Sequence, residues 1–235
     1  MTAAILQLFP ELTDVNGDAQ NALVLARRAG WAGLDAEVVP VAVGAQALPT
    51  PAAVVLGSST DSVLPRVLAA LERVRDALER WLAAGVPVLA VGTGLELLTE
   101  RVELEGLVLD GLGLVAGEAV PLGARVADDL IVDAAEGRLV GYENHARGLR
   151  PAQDVLPFGT VVKGVGDGQG VDGVRSGSLL GTRLHGPVLA KNPALADALL
   201  ALAFGRPVTP TGPAAEAADA AAAAVRRRLL GAQAR

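Results

Sequence analysis

Residues 88–98 combine a strand-like apolar run, a glycine-flanked turn and the start of a helix, VLAVGTGLELL. A turn of this kind, the nucleophile elbow, aims one side chain over the N-terminus of the following helix. Backbone N–H groups and the helix dipole at that terminus can hold an oxyanion. Gly92 occupies the position that would present the nucleophile. The same layout occurs at ordinary strand-to-helix turns in α/β proteins, so the spacing alone leaves both interpretations open.

The only two histidines lie in two further polar segments, GYENHARG at residues 141–148 and GTRLHGPVLAKNP at residues 181–193. His185 follows a predicted strand and precedes a Gly-Pro turn, a place where an imidazole can act as a general base. The alternative for His185 and for His145 is a hydrogen-bonded structural role.

The elements that must position these residues alternate between strands and helices in the first half of the chain. We predict strands at residues 3–9, 37–41, 53–56 and 86–91, and helices at 19–29, stopped by Gly30, and at 64–82. The strand at 86–91 is apolar at nearly every position, which is typical of a strand buried on both faces in a parallel sheet. The predicted fold class is therefore α/β with a mainly parallel central sheet and Gly92 at the end of a central strand.

The pattern changes after about residue 105, where glycines and short strand signals dominate. We predict strands at 130–132, 139–144, 160–163 and 179–183, and a closing helix at 193–204. One domain should span residues 1–205, and residues 206–235 form a Pro/Ala-rich tail. We interpret the tail as a linker plus a marginal helix, either disordered or docked on a partner.

Composition excludes several classes of function. The 235 residues include no cysteine, so disulfides and thiol chemistry are excluded. A net charge of −6 argues against nonspecific nucleic-acid binding. No stretch reaches ~18 uninterrupted apolar residues, and no basic leader precedes the first strand, so we predict a cytoplasmic protein without a membrane span.

Taken together, the three segments resemble the GatD type of class I glutamine amidotransferase subunits and, more distantly, the CobB/CobQ type. The resemblance runs from the LFP of residues 8–10, through Gly17-Asp18, to about residue 204. It implies a three-layer, flavodoxin-like α/β domain that needs no cofactor and no metal. In such enzymes an elbow cysteine attacks the amide of glutamine, a histidine moves the proton, and backbone N–H groups stabilise the oxyanion.

The resemblance also implies a partner and a pathway. The ammonia passes to a MurT-like subunit, which resembles a Mur ligase and uses ATP to activate the glutamate α-carboxyl of the peptidoglycan stem peptide of lipid II. By motif, His185 matches the family's catalytic histidine, and Gly92 stands where the cysteine should be. The implied substrate-binding residues are Gly57, Ser58, Ser59, Thr93, Gly94, Glu96, Asn144 and His145.

The sequence departs from the family at one site. The family's elbow reads CGGYQ, whereas this chain has GTGLE at residues 92–96, and the glycine-rich loop is replaced by GSSTD at 57–61. Gly92 has no attacking group, Thr93 should point elsewhere, and Glu96 adds a carboxylate that could repel a zwitterionic substrate. These changes predict a subunit that cannot hydrolyse glutamine.

Two functional classes therefore compete. One is a non-catalytic subunit that forms a heterodimer with a MurT-like ligase, which then uses free ammonia or an unusual donor. The other is a small-molecule-binding or hydrolytic enzyme with altered chemistry that uses His185, Asp61 or Glu96. Dinucleotide binding at residues 91–94 is disfavoured, because Leu97 stands where the third glycine of the motif belongs.

Overall fold

The computed structural model describes residues 2–231. A six-stranded sheet of order β11-β12-β4-β3-β1-β2 forms its centre. These strands are β1 (Ala3–Leu8), β2 (Ala36–Val41), β3 (Pro51–Leu56), β4 (Val88–Val91), β11 (Val174–Ser176) and β12 (Leu179–Thr182). All neighbours pair in parallel except β11 with β12. The predicted mainly parallel α/β sheet is confirmed, with β4 and Gly92 at its middle.

Helices cover both faces of this sheet. Successive side chains of each strand point to opposite faces, so both sets of side chains are buried. Leu6, Val54 and Ala90 pack towards α2 (Leu64–Ala83), the long amphipathic helix predicted from its three- and four-residue spacing. Side chains on the other face, including Ile5 and Leu89, pack with α1 (Asn21–Trp31), α4 (Val188–Lys191) and α5 (Pro193–Phe204). The continuous apolar runs of the central strands therefore reflect burial on both faces.

The second half of the chain builds another sheet, which the sequence predicted only as short strands. Its order is β10-β9-β7-β5-β6, with β8 paired to β7. The strands are β5 (Thr99–Leu104), β6 (Leu107–Asp110), β7 (Val115–Ala134), β8 (Gly137–Pro151), β9 (Gly159–Lys163) and β10 (Val171–Asp172). Strands β7 and β8 form a long antiparallel hairpin whose register shifts between Pro121 and Val126. This irregularity interrupts the alternation of apolar and polar residues by which a strand is recognised in a sequence.

The predicted end of the first helix was wrong. Helix α1 continues through Gly30 to Trp31, since a helix tolerates one glycine at a cost of ~1 kcal/mol. It ends where Gly33 adopts a φ of 72° and the N–H of Leu34 reaches the Ala29 carbonyl. The elbow is followed by only a short helix, α3 (Thr93–Leu98), which leads directly into β5.

The tail is more ordered than the sequence indicated. Helix α6 (Pro213–Gly231) packs on α1, α4 and β8 of the same chain. Arg28 of α1 pairs with Asp219 of α6 at 2.6 Å, and Arg226 donates to Asn192 at 2.6 Å. Residues 232–235 of the predicted tail lie outside the described residues. No helix between residues 2 and 231 is both long and apolar enough to cross a membrane.

Candidate functional site

The predicted elbow forms where β4 meets α3. Gly92 has φ 56° and ψ −122°, a conformation that side-chain-bearing residues rarely adopt. Its N–H donates to the carbonyl of Thr182 at the end of β12, at 2.9 Å, and its carbonyl accepts from the N–H of Glu96. The turn is therefore anchored to the neighbouring strand and to its own helix, and its geometry persists without a nucleophile.

The space beside Gly92 is filled by two neighbouring side chains. A Cβ atom placed on Gly92 would lie 2.6 Å from Cε1 and 3.3 Å from Nε2 of His185, and 2.9 Å from Cβ of Ser58. Contacts below 3.0 Å require a neighbour to move. The structure thus brings together the two positions that the sequence matched to the family's catalytic pair, but at a spacing that suits glycine.

His185 is held by a buried carboxylate that sequence reasoning did not identify as a site residue. Its Nδ1 lies 2.8 Å from Oδ2 of Asp18, and both side chains are buried. The carboxylate accepts, so Nδ1 donates the proton of this hydrogen bond and Nε2 is the ring nitrogen that faces away from Asp18. That nitrogen is buried and has no hydrogen-bond partner among the described residues. Asp18 and His185 together form a base-competent dyad beside the elbow.

The loop after β3 closes the other side of the elbow through hydroxyl contacts. Ser58 donates its hydroxyl to Oδ2 of Asp18 at 2.5 Å, and the N–H of Ser59 donates to the hydroxyl of Thr93 at 2.7 Å. Gly57 and Gly94 permit this approach, since a Cβ on Gly94 would lie 2.5 Å from the Gly57 carbonyl. These two glycines serve packing and do not line the cavity.

A cavity of about 190 Å³ opens beside the elbow and the dyad. It is lined by most of the residues that the sequence predicted for the site: Ser58, Ser59, Gly92, Thr93, Glu96, Asn144, His145 and His185. Asn144 is bonded to Arg125 at 2.8 Å and to Asn16 at 3.2 Å. The two histidines therefore share one cavity, although they come from different sheets.

His145 is held on both sides of its ring. Its Nδ1 faces the carbonyl of Arg147 at 2.7 Å, and its Nε2 faces Oε2 of Glu143 at 3.1 Å. Glu143 in turn accepts from the backbone N–H groups of Val165 and Gly166. This arrangement suits the structural role of His145, whereas Nε2 of His185 has no hydrogen-bond partner among the described residues.

Glu96 is not the free carboxylate that the sequence suggested. It is buried between two arginines, with Nε of Arg147 at 2.7 Å and Nη1 of Arg183 at 2.5 Å. Arg147 also binds Asp61 at 2.7 Å, and this hydrogen bond lowers the pKa of the Asp61 carboxyl below its ordinary value. Glu96 is therefore paired with both arginines, each of which it shares with a further carboxylate.

The buried network continues away from the cavity. Arg183 binds Asp167 at 3.0 Å, and Asp172 accepts from the Thr182 hydroxyl at 2.5 Å and from the N–H of Arg183. Burial, and then the nearby charge of Asp167, raise the pKa of Asp172 to about 7. The elbow thus rests on charged and titratable groups that are almost completely removed from solvent.

Comparison with known proteins agrees with this geometry. The model of the CobB/CobQ-like glutamine amidotransferase domain matches residues 20–193. The chain is 30% identical over 162 residues to the lipid II isoglutaminyl synthase subunit GatD of Staphylococcus aureus (strain N315), covering 67% of this chain and 66% of that protein. GatD of Streptococcus pneumoniae (strain ATCC BAA-255 / R6) is 27% identical over 136 residues, covering 55% of this chain and 52% of the relative.

The chain therefore spans about two thirds of the length of the Staphylococcus aureus relative and about half of the length of the Streptococcus pneumoniae relative. Among solved structures, a glutamine amidotransferase superimposes with a TM-score of 0.57 at 16% identity, covering 85% of this chain and 98% of that one. The family match includes both the elbow and His185. The chain belongs to the CobB/CobQ-like glutamine amidotransferase family and is similar to its GatD members.

Proposed function

We propose that this chain is a GatD-like subunit of a MurT-type ligase that amidates glutamate in lipid II, and that it does not hydrolyse glutamine. The similarity to two GatD subunits supports the assignment to lipid II amidation. The structure of the elbow is the main observation that supports the loss of glutaminase activity. Gly92 has no nucleophile, and His185 and Ser58 occupy the space where its side chain would begin.

A second contact, at the expected oxyanion hole, also supports the loss of glutaminase activity. Stabilising a tetrahedral oxyanion requires backbone N–H groups that are free to donate. The N–H of Ser59, in the loop expected to form the oxyanion hole, already donates to the Thr93 hydroxyl. Loss of one such donor costs ~10²–10³ in rate, so a nucleophile added at Gly92 would still lack part of its machinery.

The partner in this proposal is a cytoplasmic, MurT-like Mur ligase that forms a stable heterodimer with this chain. The interface should bury at least ~1,200 Å² in total, as specific stable complexes do. Ammonia would reach the ligase as free ammonia or from another donor, while this subunit stabilises the ligase. No cofactor or metal is required of this chain.

Amidation of lipid II by the co-expressed pair tests the proposal. We expect product with ammonium chloride as the nitrogen source, and none above background with glutamine. A glutamine analogue such as diazo-oxo-norleucine should leave no adduct on this chain in intact-mass spectra, whereas a glutaminase-active amidotransferase run in parallel should be labelled. Glutamine-dependent amidation, or an adduct on any residue, would refute the loss of activity.

A second candidate function is favoured by one observation, the unpartnered Nε2 of His185. With its Nδ1 fixed by Asp18, the imidazole could accept a proton from a water molecule in the 190 Å³ cavity and so hydrolyse another small molecule. A screen of small esters and amides tests this candidate, with His185→Gln as the control. Any turnover that survives in His185→Gln would rule out the dyad as its source.

A further inference from the structure

The C-terminal helix α6 connects the two segments that carry the Asp18–His185 dyad. Asp18 is followed by α1, and His185 is followed, after Gly186 and Pro187, by α4. Helix α6 packs on both α1 and α4. It lies outside the family match, which ends at residue 193. An element near the end of the chain therefore spans the two helices that begin next to the members of the dyad.

Two arginine contacts fix α6 to these helices. Nη1 of Arg28 in α1 binds Oδ1 of Asp219 in α6 at 2.6 Å, and the side chain of Arg28 is only 4% exposed. Arg226 of α6 donates to the side-chain oxygen of Asn192 at 2.6 Å. Because Asn192 directly follows α4, the two contacts hold α6 across α1 and the end of α4.

Asn192 joins α4 to the strand that contacts His185. It is buried and donates to the carbonyls of Val188 in α4 and Val140 in β8, both at 2.8 Å. Two residues further along β8, the carbonyl of Tyr142 accepts from the backbone N–H of His185, also at 2.8 Å. The contact that α6 makes with Asn192 therefore reaches the hydrogen bonds that fix the His185 segment.

A second buried asparagine joins α4 to the turn that carries Asp18. Oδ1 of Asn21 accepts from the N–H of Leu189 in α4 at 2.9 Å, and its Nδ2 donates to the carbonyl of Asp18 at 2.8 Å. Asn21 is completely buried. The position of α4 thus sets the spacing between Asp18 and His185.

The packing beneath α6 is loose. Among its nineteen described residues, only Ala215 and Ala222 are buried, and each alanine side chain buries a single methyl group. An apolar cavity of about 430 Å³ lies between α6, α1 and α4. Val225 of α6 and Leu23 of α1 line this cavity and remain 41% and 44% exposed. Since unfilled space beneath a helix forfeits packing contacts, α6 should be docked more weakly than the helices of the core.

We propose that α6 is a strap that detaches as one unit while the rest of the domain stays folded, and that its docking keeps α4 in place and so holds His185 on Asp18. Gly205 and Gly212, with φ of 63° and 93°, bracket the linker to α6 and can act as its hinges. Release of α6 loosens the dyad from a distance, without any change at the elbow cavity. This inference does not depend on the proposed ligase function.

Native-state hydrogen exchange, measured by NMR on the full chain, tests whether α6 opens separately. We expect the amides of α6 to exchange at least ~100-fold faster than those of the middle of α2, as for an element that opens below the global unfolding transition. Helix α2 is the reference because it packs on the opposite face of the central sheet. Equal exchange rates in α6 and α2 would show that α6 opens only with the whole domain, and the proposal would be wrong.

Two neighbouring arginines provide a matched pair of variants. Arg226→Gln removes the contacts with Asn192 and with the carbonyl of Arg138, so exchange in α6 should rise about tenfold. Arg227→Gln makes the same change at an exposed position that forms no hydrogen bond or ion pair with a described residue, and should leave exchange unchanged. A similar rise in both variants would show that these contacts do not hold the helix.

Filling the cavity should have the opposite effect. Ala221→Leu places apolar atoms in the cavity and should slow exchange in α6 about fivefold, whereas Ala220→Leu, at an exposed position of α6 that is not among the described residues lining the cavity, should not. Equal effects of the two leucines would contradict a loosely packed strap.

Asp219→Asn tests whether α6 controls the dyad, because Asp219 contacts α1 and neither α4 nor His185. The amide of Leu189 and the Nδ1 proton of His185 should both exchange with water about fivefold faster in this variant, in step with the amides of α6. The chain has only two histidines, so the ring protons of His145 serve as the internal control and should not change. Faster exchange in α6 with no change at Leu189 and His185 would show that the helix is merely attached to the domain, and would overturn the proposal.

Discussion

Introducing a cysteine at the elbow tests how far the site has departed from glutamine hydrolysis. In Gly92→Cys the new Cβ would lie 2.6 Å from the His185 ring and 2.9 Å from Cβ of Ser58, on a backbone with φ 56°. The strained backbone costs about 1–3 kcal/mol, and the overpacking about another 1–3 kcal/mol. We expect the free energy of unfolding to fall by about 2–6 kcal/mol, measured by urea denaturation.

A matched control separates the two contributions. Gly85 also has a positive φ, 78°, but an added Cβ there would meet no atom within 4 Å. Gly85→Cys should therefore lose only the backbone contribution of about 1–3 kcal/mol. If Gly92→Cys and Gly85→Cys are equally destabilised, the site accommodates a side chain and the crowding argument is wrong.

The thiol at position 92 should react but turn over little glutamine. Iodoacetamide should label it, since the helix N-terminus lowers the pKa of a cysteine at an elbow. Glutamate release should be at least ~10² slower than an ordinary rate of ~1 s⁻¹, because the N–H of Ser59 remains bonded to Thr93. A rate of ~1 s⁻¹ or more from the single variant would show that only the nucleophile had been lost.

The most informative further variant adds Ser58→Gly and Thr93→Gly to Gly92→Cys. The first change removes the 2.9 Å contact, and the second frees the N–H of Ser59. Glutamate release should rise by ~10² over the single variant if the missing donor limits the rate. Glu96 should be kept, because it compensates two buried arginines.

Three further outcomes are expected. Glu96→Gln should lower the free energy of unfolding by about 1–3 kcal/mol, because Arg183 loses one of the two buried carboxylates that it binds. Asp61→Asn, at a partly exposed pair, should cost about 1 kcal/mol or less. Similar costs in urea unfolding would contradict this. The raised pKa of Asp172 means that the folded state keeps a proton that the unfolded chain releases near its ordinary pKa. The stability contributed by Asp172 should therefore fall on the order of 3 kcal/mol between pH 4 and 7, a loss that Asp172→Asn should not show when urea unfolding is compared at the two pH values. Co-expression with the MurT-like ligase should give a single 1:1 peak in size exclusion, and two separate peaks at micromolar concentration would count against the heterodimer.

The sequence predicted the central sheet well because its signals are local. The continuous apolar run before Gly92 and the three- and four-residue spacing in α2 each determine one element without reference to distant residues. The second sheet has no such signal, because its longest strands pair through a shifted register and carry polar residues within them.

The site could be predicted only in part, because several of its contacts join residues that lie far apart in the sequence. The order of the segments indicated that Gly92 and His185 would meet, and the structure brings them into contact. Asp18 was missed because an acidic residue after a glycine is equally typical of a turn. The pairing of Glu96 was not predicted because its partners, Arg147 and Arg183, lie 51 and 87 positions away in the sequence.

The pairing of Glu96 with two buried arginines also bears on the evolution of this chain. Regaining a family-like glutamine at this position would remove one negative charge from the interior while both positive charges stayed in place. Arg183 would keep only Asp167 and Arg147 only the partly exposed Asp61, so the single replacement removes a charged partner from both buried arginines, a loss that selection for stability opposes. If glutaminase activity has been lost as proposed, the way back requires coordinated substitutions and is harder than the return of a single cysteine would be.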